Sequence, residues 1–166
     1  STIQAARQAV SDIRSMLAWL EREGCSRTGL WGVSLGGWLS GLIACHEPRV
    51  KFAVLCVPVA RMDLAIATLD FCRPIRSSLE GAALDLEQLN LRSHRPKANP
   101  RNILVIEAVE DLFASRDAIE EFCEIWGNPE IHRIQHAHIT GLFSPFVLNR
   151  GMRWASERAL TLPLAK

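Results

Sequence analysis

The chain lacks the marks of several function classes. Its formal net charge is only +1 over 166 residues, so no bulk attraction to nucleic acid or an anionic membrane is implied. The one basic cluster, Arg92-Ser93-His94-Arg95-Pro96-Lys97, reads as a solvated loop. No apolar run approaches the ~20 residues that a membrane-spanning helix needs. No charged and apolar leader opens the chain; Ser1-Thr2-Ile3-Gln4 begins an amphipathic helix instead. The five cysteines, Cys25, Cys45, Cys56, Cys72 and Cys123, are odd in number and include no Cys-x-x-Cys pair. That excludes a readable zinc site or disulfide framework. They lie mostly in apolar runs and read as reduced core thiols of a cytoplasmic protein. Internal repeats and low-complexity segments are absent. Aromatic residues are few, at 7%. Trp19, Trp126 and Trp154 fall on helical apolar faces and read as core. Trp31 and Trp38 read as packing against a sheet, and Phe143 and Phe146 as core packing.

What is present is a core-forming composition. The hydrophobic fraction is 48%, enough for one domain over 1–166. Ala6, Val10, Ile13, Leu17 and Leu20 recur at helical spacing, and Gly24 is a C-terminal stop. A strand is expected over Thr28 to Val33 and a buried helix over Leu35 to Cys45. Phe52 to Val57 is a continuous β-branched run closed by Pro58, as in a parallel strand covered on both faces. Residues 61–100 form a long insertion with short helices expected at Leu64 to Leu69 and Gly81 to Leu91, separated by Arg73-Pro74. The insertion lacks a strand signal and is expected to cover the functional site. A strand at Ile103 to Val109, a helix at Asp117 to Trp126, a strand at Glu130 to Gln135 and a helix from Ser144-Pro145 to about Leu160 complete the pattern. Alternating strands and helices predict an α/β fold, a mostly parallel sheet of about four strands flanked by helices.

The most informative segment is Trp31-Gly32-Val33-Ser34-Leu35-Gly36-Gly37. A Gly-x-Ser-x-Gly sequence between a strand and a helix is the pattern of a sharp turn with the serine hydroxyl exposed at its apex. The helix that follows aims free N–H groups and its positive dipole end at that serine. A serine hydroxyl is a weak nucleophile until a base takes its proton and an acid orients the base. Those partners should leave the carboxyl ends of neighbouring strands. The strand at Ile103 ends in Glu110-Asp111, and the strand at Glu130 ends in His136-Ala137-His138. Asp111 is the favoured acid. Glu110 and Asp63 are alternatives, and Glu107 lies inside its strand, facing away or paired with a cation. His138 is favoured over His136. His46, His94 and His132 read as surface or capping residues.

On the segments Gly32-Val33-Ser34-Leu35-Gly36-Gly37, Ile103 to Asp111 and Gln135-His136-Ala137-His138-Ile139, the chain resembles the α/β-hydrolase superfamily of serine esterases and lipases. The resemblance runs from about Arg7 to the end. It implies cleavage of carboxylic esters through an acyl-enzyme, with Ser34 as nucleophile, His138 as base and then acid, and Asp111 as the residue that orients the imidazole. The backbone N–H of Leu35 would supply half of an oxyanion hole. A thioesterase, amidase or acyltransferase would use the same residues, and a non-catalytic hydrolase-like binding module would keep the turn. The resemblance implies no cofactor and no metal, and a small-molecule ester as partner. It also implies several elements ahead of the serine, about a hundred residues of a usual domain, where only one helix and one strand stand here. A missing N-terminal portion, or self-association through an open sheet edge, is therefore expected.

Overall fold

In a computed structural model, the residues described are 2–79, 85–111, 113–138 and 144–162, with the side chains of 2–6 and 146 left aside. The elements in chain order are α1 (Thr2–Arg22), β1 (Gly29–Val33), α2 (Leu35–His46), β2 (Phe52–Cys56), α3 (Met62–Thr68), α4 (Arg73–Leu79), β3 (Ile103–Ala108), α5 (Arg116–Ile125), β4 (Glu130–Ile134) and α6 (Pro145–Thr161). The four strands form one parallel sheet in the order β1-β2-β3-β4. Successive parallel neighbours joined by helices are the outcome expected of alternating apolar runs.

The register places the site. Cys56 is paired with both Val33 and Ile106, and Ala108 with Ile134. All four strands therefore end at one rim, and the loops that follow them emerge side by side. β2 and β3 are buried along their whole length, which explains why Glu107 is their one charged residue. Alternation still divides their side chains. Ala53, Leu55, Ile103 and Val105 face a core shared with Leu17, Ile43, Ile119, Phe122 and Trp126. Val54, Cys56, Leu104 and Ile106 face Val147 and Trp154 of α6. Trp31 lies with this second group, and α6 approaches it through Gly151, where a Cβ would collide with the indole.

Some expectations need correction. Arg73-Pro74 does not separate two helices; it opens α4, because proline is well accommodated in a first helical turn, where its missing N–H is not needed. The helix expected at Leu64 to Leu69 is Met62–Thr68. Of the one expected at Gly81 to Leu91, residues 81–84 lie outside the described residues, and the rest forms two short 3₁₀ turns, Leu86–Leu89 and Leu91–Ser93. Asp85 accepts from Glu87 N–H at the start of the first of these. Phe143 lies outside the described residues. Trp19 is not core: it is 49% exposed, since it stands about 200° around the helix from buried Leu17. His132 is largely buried, and its Nε2 bonds to Glu130 at 2.6 Å. Of the cysteines, Cys25 is exposed and the other four are buried. Burial pushes the thiols of Cys45 and Cys123 up to about 12 and that of Cys56 up to about 11.

The insertion packs mainly on helices. Trp38 Nε1 of α2 donates to the Leu89 carbonyl at 2.6 Å, and Trp126 Nε1 donates to the Leu91 carbonyl at 3.1 Å. Arg92 reaches both Glu87 and Glu121 at 2.7 Å and so ties the insertion to α5. Among the described residues, no helix is long and apolar enough to cross a membrane.

Candidate active site

Ser34 sits between the last residue of β1 and the first of α2, with φ 53 and ψ −116. Positive φ is uncommon for a residue with a Cβ, and it persists only where the surroundings impose it. Here they do. Ser34 N–H donates to the Cys56 carbonyl at 2.8 Å, and its own carbonyl accepts from Trp38 N–H at 3.0 Å. The turn is thus clamped on one side by β2 and on the other by the first turn of α2. Gly32 makes the tight reversal feasible, because a Cβ there would fall on the Gly36 carbonyl and the Ser40 hydroxyl. At Gly36 a Cβ would meet nothing within 4 Å. Val57, one residue past β2 on the same rim, also has positive φ, at 41.

Ser34 Oγ lies 2.7 Å from His138 Nε2, and His138 Nδ1 lies 2.6 Å from Asp111 Oδ2. The three side chains form one hydrogen-bonded chain across three strand ends, with the imidazole largely buried and the carboxylate fully so. Because a carboxylate oxygen accepts, Nδ1 carries the proton, and Nε2 is left to accept from the serine hydroxyl. The other carboxylate oxygen, Oδ1, accepts the backbone N–H groups of Phe113 at 2.8 Å and Ala114 at 3.0 Å. Asp111 is therefore fixed by an Asx-type turn of its own loop before it meets the histidine. Residue order alone does not show these two amide contacts. Phe113 was likewise not singled out, although its ring centroid is 5.0 Å from that of His138.

Two of the other acids are occupied elsewhere. Both oxygens of Asp63 are held by Arg61, at 2.8 and 2.7 Å, and that hydrogen-bonded guanidinium holds the carboxyl below its ordinary range. Glu107 is buried on the face covered by α5 and pairs with Arg133 at 3.0 Å; burial raises its pKa. Glu110 N–H donates to the His136 carbonyl, a contact that joins the acid loop to the histidine loop through the backbone. Leu35, the first residue of α2, exposes its side chain, while its N–H stands at the helix start where no intrahelical partner exists.

The parallel sheet and its flanking helices superpose on those of solved hydrolases. An acetyl xylan esterase from Paenibacillus sp. R4 superposes with a TM-score of 0.68 at 16% identity, over 90% of this chain and 52% of that one. The chain has the α/β-hydrolase fold. An esterase from Pyrococcus furiosus gives a TM-score of 0.62 at 15% identity, over 94% of this chain and 62% of its own. A hydrolase from Pseudomonas aeruginosa PA01 gives 0.54 at 16% identity, over 95% and 72%. The family model for alpha/beta hydrolase domain containing 18 matches residues 3–73 of this chain, which include the Ser34 turn. An uncharacterized protein of Mycobacterium tuberculosis is 30% identical over 162 residues. That match takes in 95% of this chain, which spans 39% of the length of its relative.

Proposed function

We propose that this chain carries the working site of a serine hydrolase that cleaves carboxylic esters through an acyl-enzyme. The observation that supports this reading most is the unbroken chain of hydrogen bonds from Ser34 Oγ through His138 to Asp111, at 2.7 and 2.6 Å. His138 takes the hydroxyl proton at Nε2 as Ser34 Oγ attacks the ester carbonyl. Asp111 holds the imidazole in the required tautomer and stabilises its cation. The charge that develops on the carbonyl oxygen falls at the start of α2, where the Leu35 N–H and the helix dipole favour it. Collapse of the tetrahedral intermediate expels the alcohol, protonated by His138. Water then repeats the sequence on the acyl-Ser34 ester.

The local strain at Ser34 fits this role better than that of a plain turn. The positive φ of Ser34 is imposed by the hydrogen bonds to Cys56 and Trp38, and strain held in this way is common at working sites. The deciding experiment is labelling with a fluorophosphonate probe, followed by hydrolysis of p-nitrophenyl esters. Ser34 is expected to be the modified residue, and Ser34→Ala to abolish both labelling and turnover while remaining folded. Folded wild-type protein that takes no label would instead mark a hydrolase-like binding module.

A further inference from the structure

Two phenylalanines extend the site outward. Phe113 is anchored by its backbone N–H on Asp111 Oδ1, and its ring lies against the imidazole, with centroids 5.0 Å apart and planes 56° apart. Phe71, in the short turn Asp70–Cys72 between α3 and α4, has its ring centroid 6.1 Å from that of Phe113 and is 69% exposed. The two rings therefore make a continuous apolar path from solvent to His138. Folding leaves most of the outer ring in water.

The route of the proton says which part of a substrate meets this path. On the serine-hydrolase reading above, acylation forms the bond between Ser34 Oγ and the acyl carbon and breaks the bond from that carbon to the alcohol oxygen. The proton taken from Ser34 passes from His138 Nε2 to that departing oxygen, and a neutral alcohol leaves. Nε2 must be within hydrogen-bond reach of the leaving oxygen for this transfer. The alcohol half of the ester consequently lies beside the imidazole, the ring that Phe113 touches. The acyl half extends from the other side of the carbonyl carbon.

We propose that Phe113 and Phe71 form the subsite for the alcohol half of the substrate and direct the chain toward esters of extended apolar alcohols. Phe113 meets the first carbons of any alcohol. Phe71 meets only alcohols long enough to pass Phe113. The insertion thus contributes to substrate choice through one exposed ring, while Leu89, Leu91 and Arg92 tie it to Trp38 of α2, to Trp126 and to Glu121 of α5.

The test compares two ester series in wild type, Phe71→Ala and Phe71→Leu. One series keeps an acetyl group and lengthens the alcohol from ethanol to octanol. The other keeps ethanol and lengthens the acyl group from acetyl to octanoyl. In wild type, kcat/KM should rise along the alcohol series. Phe71→Ala should flatten that rise, with a loss of roughly tenfold at the longest alcohol, the order of effect that a lost apolar contact in a binding pocket produces. Phe71→Leu should fall between the two. The ratio of wild type to variant should stay constant along the acyl series. A purely structural role would lower both series uniformly. A uniform loss, no loss, or a length-dependent loss in the acyl series would each overturn the assignment while leaving the serine-hydrolase reading intact. Wild type that turns over neither series and takes no fluorophosphonate label would overturn both.

Discussion

Gly32 and Gly36 stand symmetrically about Ser34, two residues away on each side, yet alanine at the two positions should act in opposite directions. At Gly32 the added methyl would collide with the Gly36 carbonyl and the Ser40 hydroxyl. The carbonyl belongs to the first turn of α2 and cannot rotate aside as a side-chain tip would. Relief requires β1 and α2 to separate, and the turn that joins them carries Ser34. Overpacking of this kind costs about 1–3 kcal/mol, and a backbone obstacle places Gly32→Ala near the upper end. For a chain of this length, each kcal/mol moves the melting temperature by about 2–4 °C, so a fall of roughly 6–12 °C is expected. At Gly36 the methyl enters open space. Alanine there restricts the unfolded chain and suits a helix, for a gain of up to ~1 kcal/mol and a few degrees. Thermal unfolding followed by circular dichroism measures both shifts. The rate of fluorophosphonate labelling measures whether the 2.7 Å contact between Ser34 and His138 survives. Gly32→Ala should lose labelling even below its melting temperature, and Gly36→Ala should keep it. If the two variants melt and label alike, the idea that one glycine is demanded by packing and the other is not is refuted.

Two further outcomes are expected. Asp111→Asn should slow ester turnover by roughly 10⁴, the scale seen when the orienting acid of such a site is neutralised. Asp63→Asn, which loses only the Arg61 pair, should stay within a few-fold of wild type in the same p-nitrophenyl assay; the reverse ranking would reassign the acid. The second concerns acid stability. The Arg92 guanidinium hydrogen-bonded to Glu87 holds its carboxyl down to about 2 from an ordinary value of 4.5. A depressed carboxyl contributes stability above its unfolded pKa and loses it as pH falls through the folded one. Melting curves of wild type and Arg92→Met should therefore differ above about pH 4.5 and converge toward pH 2. The difference should be modest, because both partners are partly exposed.

Much of the architecture was legible because it rests on local patterns. The apolar runs at Phe52 and Ile103 need two covered faces, and only the centre of a parallel sheet supplies them. The stripe from Val10 to Leu20 needs one. The insertion was harder to read, since short helices such as Arg73–Leu79 carry too few residues for a periodic signal. Trp19 was misplaced for a related reason: hydrophobic identity says that burial is favourable, but angular position on the helix decides whether a core lies on that side.

The site divides along the same line. The glycine-flanked serine between a strand and a helix, and the acid and histidine pairs at later strand ends, could be read from residue order, because a parallel sheet sends successive strand ends to one rim. Residue order left His136 beside His138, and Glu110 and Asp63 beside Asp111. Only the folded chain brings Ser34 to His138 and His138 to Asp111, commits Asp63 to Arg61, and lays Phe113 on the imidazole. The reason is physical. Periodicity depends on neighbours a few residues away. A hydrogen bond between residues more than a hundred positions apart depends on strand register, on one strained turn and on two backbone amides that hold a carboxylate in place.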